Sequence, residues 1–77
     1  MPYRRNDQAT YSKNIYVLGQ EASIPKSSFS NNILTVTTPI GAIIMDPGEV
    51  AVENDLTGDV EEVITEAEFN SKYTLIT

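Results

Sequence analysis

Ile33-Leu34-Thr35-Val36-Thr37-Thr38-Pro39-Ile40-Gly41-Ala42-Ile43-Ile44-Met45-Asp46-Pro47-Gly48-Glu49-Val50-Ala51-Val52-Glu53 reads as strand, break, strand, turn, strand. In Ile33–Thr38, β-branched residues alternate, with Leu34 and Val36 on one face and Ile33 and Thr35 on the other. Pro39 interrupts the ladder and Gly41 lets the chain bend. Ala42-Ile43-Ile44-Met45 is a continuous apolar run, which predicts a central strand covered on both sides. Asp46-Pro47-Gly48-Glu49 carries type II turn chemistry: Pro47 presets its own φ and Gly48 supplies the positive φ that follows. Val50 and Val52 then share a face, and the whole is expected to close as a hairpin.

Toward the C-terminus, Asn54–Asp59 is a second turn region, and Val60–Ile64 is either a strand or the lead-in to a helix. Thr65-Glu66-Ala67-Glu68 matches a capping box. It predicts a short helix from Glu66 to about Tyr73, with Phe69 and Tyr73 on one face, Glu66 and Glu68 at its start and Lys72 at its end. Thr74–Thr77 reads as a closing strand.

Toward the N-terminus, Lys26–Asn32 has a loop composition, with Phe29 as an apolar anchor. Ala22–Pro25 is a short edge segment and Asn14–Leu18 a strand ending at Gly19. Residues 1–13 are polar, show no apolar period and read as an extended N-terminal arm, with residues 14–77 forming a single small β-domain. The expected fold class is mainly β: a small antiparallel β-roll or barrel with one short C-terminal helix and an N-terminal arm.

With 77 residues and neither Cys nor His, the chain has no disulfide staple, no thiol nucleophile, no imidazole base and no zinc-finger ligand set. A self-contained enzyme is therefore not expected, and neither catalytic residues nor a cofactor is assigned. Lys26 beside Ser27 or Ser28 resembles a Ser–Lys pair, but in a polar loop both groups are hydrated and unactivated. Asp55, Asp59 and Glu61 near Gly58 offer oxygen ligands without the alternate spacing of an EF-hand, so no metal is assigned. No apolar run is long enough to span a bilayer, and the charged start Met1–Asp7 is not followed by the apolar run of a signal peptide.

The net charge of −6 is divided unevenly: residues 1–45 hold four basic against two acidic residues, residues 46–77 one against nine. The acidic part disfavours direct nucleic-acid binding. It has two readings: a solvated face, or a mimic of a nucleic-acid backbone that occupies a basic site on a host protein. On the arm, Tyr3, Arg4, Arg5, Tyr11 and Lys13 are the candidate partner-binding residues, because aromatic and basic side chains anchor interfaces well.

Thr38-Pro39-Ile40-Gly41, then Pro47-Gly48-Glu49-Val50, then Gly58-Asp59-Val60, then Phe69-x-x-x-Tyr73 resembles small phage and prophage proteins with a PGDY-type turn. In that family a Pro-Gly-Asp-aromatic hairpin precedes a Gly-Glu turn and a short helix with a Phe/Tyr pair. The resemblance covers about half the chain and departs at Glu49 and Val50, where the family has Asp and an aromatic. It carries over no catalytic residue. It implies a phage context, and with it two roles. The first is a non-enzymatic virion component such as a capsid decoration or cement subunit, held to a major capsid or other virion protein, or to copies of itself, through arm and sheet edges. The second is a small acidic inhibitor of a host protein. Either places the protein in the virion or in the host cytoplasm during infection, without a membrane.

Overall fold

The computed structural model describes residues 2–4 and 10–75. Eight strands and one helix follow in chain order: β1 (Pro2–Arg4), β2 (Thr10–Ile15), β3 (Ser27–Ser30), β4 (Ile33–Thr38), β5 (Gly41–Met45), β6 (Glu49–Asn54), β7 (Val60–Thr65), α1 (Glu66–Lys72) and β8 (Thr74–Leu75). They form two antiparallel sheets, one in the order β7-β6-β2-β1-β8 and one in the order β3-β4-β5. The mainly β class with one short helix is as expected. The sheets do not close into a barrel; they stack, with α1 as a third layer.

Strand β6 lies in the middle of this stack. Its residues alternate between two cores, as the pleat demands. Ala51 joins Tyr16, Ile24, Leu34, Val36, Met45 and Val60 between the sheets. Val50 and Val52 join Tyr11, Phe69 and Tyr73 under the helix. The double coverage predicted for Ala42–Met45 therefore belongs to β6 instead. Strand β5 is an edge strand whose outward residues Ala42 and Ile44 are exposed. An apolar run announces an appetite for burial but not which neighbour arrives to satisfy it.

The Asp46–Glu49 turn forms as its residues dictate, with Gly48 at φ +90° and Glu49 N–H donating to Asp46 C=O at 3.1 Å. It does not close a hairpin. Strand β5 pairs with β4, whereas β6 pairs with β2 and β7, so the turn carries the chain from one sheet to the other. Gly48 N–H donates to Tyr16 C=O and Tyr16 N–H to Glu49 C=O, which locks the crossing to the end of β2.

Two further elements differ from expectation. Within the expected loop, Ser27–Ser30 pairs with β4. Asn31 and Asn32, at φ +53° and +64°, make the two-residue turn with two positive φ values that suits a twisted hairpin. The short segment near Ala22 is a 3₁₀ turn over Glu21–Ser23 rather than an edge strand.

In β7, Val52 faces Glu62 and Glu53 faces Val60, so Glu61 is the extra residue of a bulge. The bulge places Val60 and Val63 toward the inter-sheet core and Glu62 and Ile64 toward the helix. This resolves the strand-or-helix ambiguity of Val60–Ile64. Thr65 caps α1 by accepting Glu68 N–H at 3.1 Å.

The helix is only seven residues long, far too short to persist alone. Phe69 holds it: fully buried, stacked on Tyr73 at 4.6 Å and met edge-on by Tyr3 at 4.8 Å. Phe69→Ala is expected to cost about 3–5 kcal/mol, against a total of about 4–12 kcal/mol for a chain of this size. Urea denaturation should show this as a large fall in midpoint, with loss of near-ultraviolet tyrosine ellipticity.

Candidate interaction surface

Of the five residues singled out on the N-terminal segment, Tyr3, Tyr11 and Lys13 do not form an exposed anchor. Tyr11 is buried and meets Tyr73 edge-on at 5.3 Å. Tyr3 is half-buried against Phe69. Lys13 Nζ reaches Glu66 at 3.0 Å and sits 5.2 Å from the Phe69 ring centre, so its charge clamps the helix. Arg4 pairs through its backbone with Thr10 and Thr74, and Arg5 lies outside the described residues. The described parts of the expected arm, residues 2–4 and 10–13, are thus sheet strands, which corrects the arm. The physical reason is alternation: Tyr11, Lys13 and Ile15 face the helix while Ser12 and Asn14 face the other way. A polar-looking stretch conceals one apolar face.

The acidic half is largely engaged in holding the fold. Glu62 takes Lys72 at 3.0 Å and the Tyr73 hydroxyl. Glu49 accepts the Asp46 N–H, Asp55 accepts the Ser12 hydroxyl, and Glu61 accepts an Asn54 amide N–H at 2.8 Å. Buried Asn54 organises its loop by also accepting the N–H groups of Leu56 and Thr57. Among the described residues no three carboxylates converge as a metal ligand set. Ser27 Oγ is occupied in donating to Ile24 C=O at 2.6 Å, so it does not face Lys26 as a nucleophile would. Among the described residues no helix is long and apolar enough to cross a membrane.

A different surface stands out. Residues 27–45, which make up the whole of β3, β4 and β5, contain no Asp, Glu, Lys or Arg, although 21% of the chain is charged. The outward face of this sheet presents Ser28, Ile33, Thr35, Thr37, Ala42 and Ile44, in the register set by the β4 pairings. Ile33 is 45% exposed and Ile44 61%. Their positions are diagonal neighbours across β4 and β5, within reach of one contact surface. Ile40, in the β4–β5 turn at the opposite end of β4 from Ile33, is 89% exposed. The signal is present in the sequence as the gap in charge between Lys26 and Asp46. A division of net charge between halves hides it, because the gap follows the elements and not the midpoint of the chain.

Between the sheets, the buried Tyr16 phenol is held above its ordinary value of 10.0, by burial first, then by the Glu21 carboxylate and its hydrogen bond. A raised pKa favours the protonated phenol in the folded state. Its contribution is therefore complete below the unfolded value near 10 and is lost as pH rises through the folded value. Tyr16→Phe should flatten that part of the alkaline decline in a pH series of thermal melts. Deleting residues 1–13 should not release a harmless arm. It removes β1, most of β2, Tyr3 and Tyr11, and the truncated chain is expected to lose cooperative unfolding by circular dichroism.

Compared with known proteins, no family model matches the chain, and neither a curated protein nor a solved structure matches it.

Proposed function

We propose that this is a non-enzymatic assembly protein: a virion component, such as a capsid decoration or cement subunit, that binds neighbouring subunits through the β3-β4-β5 sheet. One observation carries the reading: a whole sheet without charge, with Ile33 and Ile44 exposed on its face, in a chain of net charge −6. Depletion of charge at the centre of a patch is what distinguishes protein interfaces from ordinary surface. A solvent-facing sheet with no partner gains solubility from charged residues, and here they are withheld from one sheet alone. The phage context comes from the turn and helix resemblance at Pro47-Gly48, Gly58-Asp59-Val60 and Phe69-x-x-x-Tyr73. The fitting partner is a major capsid or other virion protein, met in the virion or in the host cytoplasm during infection.

The acidic inhibitor is the weaker reading. A nucleic-acid mimic needs free carboxylates, and five of the nine in residues 46–77, Glu49, Asp55, Glu61, Glu62 and Glu66, are occupied within the fold. The test is co-sedimentation of the purified protein with intact phage particles. Ile33→Lys puts a charge on the outward face without touching either core and should weaken binding at least about tenfold, the scale of one lost interface anchor. Glu68→Lys, at an exposed carboxylate that holds nothing among the described residues, should leave it unchanged. Undiminished binding by Ile33→Lys would remove the sheet face from the interface, and loss with Glu68→Lys would favour the acidic reading.

A further inference from the structure

We propose that two copies of the chain pair through their β5 strands, antiparallel about a twofold axis at Ile43, joining two three-stranded sheets into one of six strands. This deepens the assembly reading by naming a partner for the neutral sheet, and it rests on that reading only for its biological purpose.

The geometry begins at the Pro39-Ile40 loop. Thr38 and Gly41 are the closing pair of a two-residue hairpin, so they exchange the ladder's last hydrogen bonds. Alternation then commits the peptide groups of Gly41, Ile43 and Met45 to β4 and turns the N–H and C=O groups of Ala42 and Ile44 outward. Strand β5 is at the end of its sheet, so among the described residues nothing pairs with these groups.

Edges are normally blunted by charge, proline, a bulge or extreme shortness. The other edges have such devices: β7 carries Glu61, Glu62 and a bulge, β8 is two residues long, and β3 is four residues long with Lys26 next to it. Strand β5 is five residues, Gly41-Ala42-Ile43-Ile44-Met45, with no charge, no proline and no bulge in its ladder.

The same strand from a second copy fits it. With the axis at Ile43, Ala42 of one copy faces Ile44 of the other and the reverse. Both pairs are of the hydrogen-bonded kind, so all four outward groups of each copy find partners. The exposed Ile44 side chain lies over the small Ala42 of its neighbour, and Asp46 lies opposite Ile40 rather than opposite another carboxylate. Each copy carries net charge −6, and the neutral stretch is where two such bodies can touch without placing acid against acid.

The test is mass by light scattering or sedimentation equilibrium, over a thousandfold range of protein concentration reaching the millimolar. The expected result is a shift from 8.5 kDa to twice that mass, with tighter association as salt screens the acidic bodies. Ala42→Pro removes a donor that the monomer leaves unused, so the melt should stay near wild type while dimerisation weakens about thirtyfold, from two hydrogen bonds lost per dimer. Ile44→Lys, which adds a charge to the edge, should weaken association likewise and serves in its place if the proline variant fails to fold. A chain that stays monomeric throughout, or variants that dimerise like wild type, overturns the pairing. A monomer that still binds particles overturns the pairing alone, and a dimer that binds none overturns the virion assignment alone.

Discussion

Coverage of β6 on both faces is the constraint from which the rest of the structure follows. A strand reading Val50-Ala51-Val52 can be satisfied on both sides only by three layers. The small Ala51 suits the side where another sheet approaches, and Val50 and Val52 suit the side where aromatic rings descend from the helix. The turn at Asp46–Glu49 makes this possible by leading the chain out of one sheet and into the centre of the other. A chain of this length buries only about 60% of the surface it exposes when unfolded. Using one strand to serve two cores raises the return from each apolar residue.

The aromatic group around Phe69 closes the second core and explains why the N-terminal strands belong to the fold. Tyr3, Tyr11, Phe69 and Tyr73 come from separate parts of the chain and touch edge-on or stacked. Such contacts add about 0.5–1.5 kcal/mol each beyond the burial itself. Lys13 joins them from above, linking charge at Glu66 to the Phe69 ring. In place of a disulfide or a metal, the chain ties its two ends together with rings and one ion pair, and β8 pairs with β1 in the same place.

Charge is segregated by layer rather than by half. The five-stranded sheet and helix carry six of the eleven carboxylates, four of them hydrogen-bonded or ion-paired within the fold, while the three-stranded sheet carries none. One neutral, partly apolar sheet on an otherwise acidic body is the feature on which the proposed assembly role rests.

Local chemistry is legible without the structure. Alternation in Ile33–Thr38, the Pro47-Gly48 turn, the Thr65 cap and the Phe69/Tyr73 pair are set by interactions within a few residues, and each stands where the residues predict it. The partners of those elements are not legible. That β5 is an edge, that the turn changes sheets, and that Tyr11 is core rather than an anchor all depend on contacts between residues far apart in the chain, 37 positions for Ala51 on Asn14 and 62 for Tyr73 on Tyr11. Neighbouring residues determine the shape of a segment through φ, ψ and hydrogen bonds. Which surfaces then meet is settled by competition among all apolar faces for the same few buried places, and that competition exists only once the chain has folded back on itself.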